Sequence, residues 1–409
     1  MATRGDGAQG KALRSKVISI IGTRPEAIKM APVADVLAAS KSIDHSILLT
    51  GQHSGIGSIL KRHLCFELDA PLCALDFAGQ RDLMRRELVE FLSLARPDLV
   101  LVQGDTTSAQ AGALATSDCG IAIAHVEAGL RSHDREPWPE EDNRIRIDAL
   151  SSLLFAPTRV AAANLANEDS IWGIVQVTGN SGIDVLFALA PAPATATSDA
   201  ARKRLLVTCH RRENQGPTFD RICVALRDLV QKLPVRIRFL LHPNPPLAAA
   251  ACNRLASIEH IDLVPALTHE ESVAMLRTSW ALLTDSGGLQ EYGAALGVPV
   301  LVLRDVTERV EAPSNIELVG SEPARIIDSV RRLIEDEDHY SRMAIPSTAF
   351  GDGQSARRIG DHVESWLHAH ATRANPGQRT QADVRPIDST VHNPRNIMQS
   401  EGLNDASGS

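Results

Sequence analysis

The chain has no pair of cysteines at C-x-x-C spacing. Its six cysteines, Cys65, Cys73, Cys119, Cys209, Cys223 and Cys252, are scattered. That argues against a disulfide framework or a thiolate zinc site, and fits a reducing compartment. His125, His133, His210, His242 and His269 show neither H-E-x-x-H nor facial-triad spacing, so no metal is expected. Positive charge is not in excess: 42 Lys and Arg face 50 Asp and Glu, a net charge of −8. A nucleic-acid binder would more often carry a basic field. No run of 18 uncharged apolar residues exists, which excludes an ordinary membrane-spanning helix. The first sixteen residues are polar and lack the apolar centre of a signal peptide, so the expected location is the cytosol. Finally, the turn after the first strand, I-G-T-R-P-E, lacks G-x-G-x-x-G; a dinucleotide cofactor is not expected, nor any other cofactor.

What is present is a two-part α/β pattern. At 409 residues the chain is too long for one ordinary core, so two domains are expected. Strands of four to six apolar residues are read at 17–21, 45–50, 98–102, 121–124 and 153–156, with helices at 25–39, 81–95, from after the 103–107 turn to about 117, and from Glu140. After an Ala-, Pro- and Thr-rich excursion at 186–203, a second series follows. Its strands are read at 205–208, 237–241, 261–264, 281–284 and 300–303, and its helices near 219–232, 269–278 and 287–296. Short apolar strands alternating with helices imply parallel sheets covered on both faces. The expectation is two doubly wound, Rossmann-like domains facing a cleft. The first spans 1–185 and the second 200–349, with a last helix near 355–368 and a polar, disordered tail over 371–409.

The chemistry-bearing residues sit where these strands end. In VISIIGTRPEAIKMAP, Thr23 and Glu26 can cap a helix reciprocally and Pro25 fits its first turn. Arg24 and Lys29 then lie near a helix start, a place for an anion; the plainer alternative is an ordinary β-α unit. In TDSGGLQE the Gly287–Gly288 pair lets the backbone approach a diphosphate, Ser286 adds a hydroxyl, and Glu291 can accept from a ribose diol. The alternative there is a tight turn capped by Asp285. His210 and Arg211 follow the first strand of the second series and suit a leaving phosphate; His242 ends the next strand. Asp105, Glu127 and Glu140 follow neighbouring strands of the first series, with Arg144 a turn beyond Glu140, so the three acids should share one rim. Carboxylates opposite a cationic, glycine-rich rim are what proton transfer beside a departing nucleotide needs. Each acid also has a plainer reading: Asp105 as a turn former, Glu127 paired with Arg131, Glu140 as a helix-start acid.

In order along 17–368, the chain carries GTRPEAIKMAP, QGDTT, HVEAGLR, PWPEEDNR, VTGN, CHRREN, HPNP, TDSGG-x-QE, RDVTER and GDGQSARRI. This set resembles the non-hydrolysing UDP-N-acetylglucosamine 2-epimerases of bacterial surface-polysaccharide pathways. The resemblance implies a glycosyltransferase-B-like fold, with the 350–370 helix packing back on the first domain. It implies reversible conversion of UDP-GlcNAc to UDP-ManNAc through a 2-acetamidoglucal intermediate, without NAD. By motif, Asp105, Glu127 and Glu140 become the acid/base carboxylates and His210 the group assisting UDP departure. Arg24, Lys29, Arg144, Arg211, His242, Ser286, Gly287, Gly288, Glu291 and Arg309 become the substrate-binding set. A homodimer is implied as well.

The chain departs from the pattern in places. Cys209 stands where many members have Gly. Tyr292–Gly293–Ala294 replaces E-A-P, and Val310 with Pro313–Ser314–Asn315 alters the loop after RDVTER. Bacterial members often bind a second UDP-GlcNAc as activator through a polar run after Gln-His; here Gln52–His53 is followed by Ser54–Gly55. Activation by substrate is therefore expected to be weak or absent. The competing readings are a hydrolysing relative that releases ManNAc and UDP, an epimerase of a modified UDP-GlcNAc, a glycosyltransferase, and a non-catalytic UDP-sugar binder.

Overall fold

The structure is a computed structural model that describes residues 14–53, 55–68, 76–134, 138–189, 202–309, 311 and 314–373. The expectations for residues 1–13, Ser54, most of the 186–203 excursion, Val310, Pro313 and the tail past 373 fall outside them.

The first lobe runs β1 (Ser15–Ile21), α1 (Arg24–Ala39), β2 (Ile43–Leu49), β3 (Cys65–Glu67), α2 (Phe77–Ala95), β4 (Leu99–Gln103), α3 (Thr107–Asp118), β5 (Ala122–Val126), α4 (Glu140–Leu150), β6 (Leu153–Ala156), α5 (Arg159–Ala166) and β7 (Ile174–Val177). Its seven strands form one parallel sheet in the order β3-β2-β1-β4-β5-β6-β7. Side chains alternate across β1. Val17 and Ile21 pack with Ala27, Met30 and Val33 of α1 on one face; Ile18 and Ile20 pack with Met84 and Leu88 of α2 on the other. Both faces are thus buried, which is why these strands read as continuous apolar runs.

The helix α6 (Ser181–Ala188) leads to the second lobe: β8 (Lys203–Thr208), α7 (Pro217–Lys232), β9 (Val235–Leu240), α8 (Pro245–Leu255), β10 (Ile261–Val264), α9 (His269–Arg277), β11 (Ala281–Thr284), α10 (Gly287–Leu296), β12 (Val300–Val302), β13 (Ile316–Leu318), α11 (Pro323–Glu335), α12 (Glu337–Met343) and α13 (Ser355–Arg373). Its six strands are parallel in the order β10-β9-β8-β11-β12-β13. The last helix, α13, puts Ile359, Val363 and Leu367 into the apolar core of the first lobe, against α1.

Several elements differ from the sequence reading. The excursion begins later than 186: α6 continues to Ala188, and Leu186 is buried with Leu206, Leu282 and Tyr292. The edge strands β3, β7 and β13 were not expected, since three or four residues give too little periodicity. Among the described residues no helix is long and apolar enough to cross a membrane.

In both sheets the strand order reverses once, between β1 and β4 and between β8 and β11. Helices leave to opposite sides at such a point and open a crevice beyond the carboxyl ends of the strands. Gly22, Gly104, Cys209 and Asp285 stand just beyond those four strand ends.

Candidate active site

The two crevices face each other across a cavity of about 720 Å³. From the first lobe it is lined by Lys29, Asp105, Glu127, Glu140 and Arg144, and from the second by His210, Arg211, Ser286, Gly287, Gly288 and Arg309. Eleven of the fourteen sequence candidates thus converge. Arg24, His242 and Glu291 do not line the cavity.

Thr23 and Glu26 form the reciprocal cap that opens α1. The Glu26 carboxylate is fully buried and accepts from Gly22 N at 2.6 Å, Thr23 N at 3.2 Å and the Thr106 hydroxyl. Burial pushes its pKa up to about 7 against these hydrogen bonds. The Arg24 side chain points to solvent, while its N–H donates to His53 Nδ1 at 3.4 Å. One turn on, Lys29 Nζ lies 2.7 Å from both Glu127 oxygens. Burial opposes the charge on Lys29, but Glu127 and Glu291 outweigh it and raise its pKa.

The acids are aimed by unusual backbone. Gly104 has φ 68 and Glu127 has φ 72, the left-handed region that is costly for a glutamate. Glu127 N and Ala128 N both donate to Phe155 O, at 3.0 and 3.1 Å, which secures that turn. Glu127 also accepts from Gln103 Nε2 and, across the lobes, from Arg309 Nη2 at 3.3 Å. The alternative pairing with Arg131 is not formed: Arg131 binds Asp148 at 2.8 Å and Glu168 at 2.6 Å. Asp105 accepts from Arg144 Nη2 at 2.5 Å and Nε at 3.1 Å. Glu140, the first residue of α4, lines the cavity; Glu141 turns away to Ser132 N at 3.1 Å and Arg144 at 2.9 Å. Burial, then Asp105, hold the Glu140 carboxyl above its ordinary range, offset in part by Arg211 and Arg212. The shift favours the protonated carboxyl, which suits Glu140 to proton transfer.

On the opposite rim Ser286 is the residue before α10, and its side chain makes no cap, so the helix start faces the cleft. A side chain at Gly288 would meet nothing within 4 Å; at Gly287 it would meet the Arg309 guanidinium at 2.7 Å. Gly288 thus leaves room for an anion against the backbone, and the bare Gly287 backbone lets the Arg309 guanidinium pack beside it. The sequence alternative of Asp285 capping α10 does not hold. Asp285 is completely buried and accepts at Oδ2 from His210 N (2.8 Å), Arg211 N (2.8 Å) and Asn214 Nδ2 (3.1 Å), with Oδ1 3.4 Å from His210 Nδ1. It orients the His210 loop, a role that no sequence spacing announces, because β8 and β11 become neighbours only in the sheet. Cys209 lies behind this carboxylate, and burial and Asp285 push its thiol well above the ordinary value, so it stays protonated. His242 stacks on His210 with ring centroids 5.2 Å apart, behind the cavity wall; burial, then His210, depress its pKa.

Glu291 is not open to a ligand in this state. It accepts from Arg309 Nε at 2.8 Å and Asn180 Nδ2 at 2.8 Å and is 1% exposed. Arg309 therefore ties Glu291, Glu308 and Glu127 together across the cleft. Burial alone would raise Glu308, yet Arg309, Arg304 and Arg144 hold it well below the usual carboxylate range. Glu308, Asn180 and Gln103 were not foreseen; their only signal was membership of the RDVTER, VTGN and QGDTT stretches. Among the described residues no group of three or more His, Cys, Asp or Glu side chains is arranged to hold a metal ion.

A family model described as UDP-N-acetylglucosamine 2-epimerase matches residues 35–364. The UDP-N-acetylglucosamine 2-epimerase of Escherichia coli K12 is 35% identical over 364 residues, covering 84% of this chain and 97% of that protein. The crystal structure of UDP-GlcNAc 2-epimerase from Neisseria meningitidis bound to UDP-GlcNAc superposes with a TM-score of 0.80 at 35% identity, covering 86% of this chain and 100% of that one. The Methanocaldococcus jannaschii UDP-GlcNAc 2-epimerase in complex with UDP-GlcNAc and UDP superposes with a TM-score of 0.74 at 30% identity, covering 86% and 99%.

Proposed function

From the premise that this chain belongs to the UDP-N-acetylglucosamine 2-epimerase family, we propose how its own residues carry the reaction. The enzyme interconverts UDP-GlcNAc and UDP-ManNAc at C2 without net hydrolysis. A carboxylate of the first lobe takes the C2 proton; the C–H electrons form the C1–C2 double bond; the C1–O bond breaks and UDP leaves with its electron pair. Re-addition of UDP and return of a proton to the opposite face of 2-acetamidoglucal complete the inversion.

The observation that carries this reading is the convergence of Asp105, Glu127 and Glu140 on one rim of a cavity whose other rim holds His210 and the Ser286–Gly288 turn. Arg144 grips the Asp105 carboxyl group through two hydrogen bonds and fixes its direction. Glu140 is the carboxyl best placed to donate. In this reading the helix start of α10 and Arg211 take the diphosphate, and His210 meets the departing phosphate. Lys29 and Arg309 leave Glu127 as substrate enters, and Arg309 frees Glu291 for the ribose. Arg24 and His242 act from outside the cavity wall, Arg24 on the approach of the anion and His242 by supporting the His210 ring. The protein works in the cytosol as a homodimer, and substrate activation is weak or absent.

The test is NMR of the purified protein with UDP-GlcNAc in deuterated water. UDP-ManNAc bearing deuterium at C2, with little free sugar, is the expected product. Free ManNAc with UDP, or binding of UDP without exchange at C2, overturns the reading.

A further inference from the structure

The HVEAGLR stretch holds a histidine that the mechanism does not use. His125, on β5, is wholly buried, as is Asp148 on α4. Its Nδ1 lies 2.6 Å from Asp148 Oδ1, and its Nε2 lies 2.8 Å from the carbonyl oxygen of Gly104. Both neighbours are acceptors, so each ring nitrogen presents a hydrogen. Gly104 is the left-handed residue directly before Asp105, and Glu127 follows His125 by two residues. One imidazole therefore bridges the turns that carry two of the three rim acids.

Asp148 extends this bridge. Its Oδ2 accepts from Gly129 N at 3.2 Å and pairs with Arg131 at 2.8 Å, so it also holds the loop after Glu127. Burial would raise its pKa, but His125 and Arg131 outweigh burial and keep it ionised. Asp148 stands on α4 at i+8 from Glu140 and i+4 from Arg144, on one face of the helix. Arg144 grips the Asp105 carboxylate, and Asn143 Nδ2 donates to the Asp105 carbonyl at 2.8 Å. A single helix thus carries one rim acid and fixes the other two, at a side chain and at their backbone turns.

We infer that His125 and Asp148 form a positioning pair for the epimerisation: a buried imidazole clamped between Asp148 and the Gly104 carbonyl sets the Asp105 and Glu127 turns relative to Glu140. The inference rests on the acid/base reading above. The pair touches no substrate and acts through the turns it holds. Proton removal and return need the acids on both faces of one carbon, and a misplacement of about 1 Å costs roughly 100-fold in such steps.

The experiment has two parts. In histidine-labelled wild-type protein, long-range proton–nitrogen NMR should show two ring N–H groups at His125, with the one toward Asp148 shifted downfield; the H125Q variant assigns them by their loss. A single ring N–H at His125 overturns the clamp, whether or not the variant folds. In H125Q, kcat and deuterium exchange into C2 should fall about 10- to 100-fold, while affinity for UDP, held by the second lobe, stays within about twofold. If wild type exchanges C2 and H125Q exchanges it equally fast, the positioning role is wrong. If wild type itself exchanges nothing, the acid/base reading fails, and the clamp is still judged by its NMR signature.

Discussion

Replacing Asp285 by asparagine probes the junction on which the His210 loop depends. The carboxylate is completely buried, and a single oxygen accepts from His210 N and Arg211 N at 2.8 Å and from Asn214 Nδ2 at 3.1 Å. Asparagine has nearly the same shape and can keep these three contacts with its carbonyl oxygen. What it loses is the charge. A hydrogen bond to a charged group contributes about 1.5–3 kcal/mol, against about 0.5–1.5 for a neutral pair, so each contact weakens by about 1 kcal/mol. Three contacts give about 3 kcal/mol, with no discount for solvent because the group is enclosed. For a lobe of this size that corresponds to a fall in melting temperature of about 6–12 °C. The amide also turns an N–H toward His210 Nδ1, which sits 3.4 Å from Oδ1. The imidazole then loses its carboxylate partner, and kcat should fall about 100-fold. Calorimetry and a coupled UDP-ManNAc assay measure the two effects. A melting temperature within about 2 °C of wild type, together with unchanged kcat, would refute the idea that this carboxylate organises the phosphate side of the cleft.

Other outcomes follow from single contacts. Glu26 has a folded pKa of about 7 against an ordinary 4.5, so the folded state holds its proton longer and wild-type stability falls as pH rises from about 4.5 through 7. Glu26→Gln keeps the acceptor for Gly22 N and Thr23 N and can donate to Thr106; urea unfolding should find it equal to wild type at pH 5 and up to about 3 kcal/mol more stable at pH 8. An equal difference at both pH values contradicts this. Gly287→Ala places a methyl carbon 2.7 Å from an Arg309 guanidinium already held by Glu127, Glu291 and Glu308. UDP affinity by titration calorimetry should drop roughly 10-fold or more as the displaced guanidinium disturbs the anion site beside it; unchanged affinity would move the diphosphate elsewhere. Initial rates against UDP-GlcNAc should be hyperbolic, and a sigmoidal curve made hyperbolic by a trace of UDP-GlcNAc would show that the Gln52–His53 turn retains an activator site.

Much of this protein was legible without coordinates because its signals are local. Apolar runs such as 99–102, within the strand read at 98–102, and Ala281–Thr284 identify buried parallel strands by composition alone. Thr23, Pro25 and Glu26 announce a helix start within four residues. Parallel strands present their ends together, so residues after successive strands could be assigned to one rim before any distance was known. The ten motifs in register did the rest for the family.

Only the tertiary structure decided which groups are neighbours across sheet and cleft. Asp285 reads as a cap until β11 lies beside β8 and brings it under His210. Glu127 and Arg131 are close in sequence, yet their charges are satisfied by Lys29 and Arg309 in one case and by Asp148 and Glu168 in the other. Glu291 reads as a ribose ligand, but the folded chain closes Arg309 and Asn180 over it. The physical reason is range. Propensity, capping and periodicity act over a few residues, whereas a buried charge takes whichever opposite charge the fold brings within about 4 Å, at any separation along the chain.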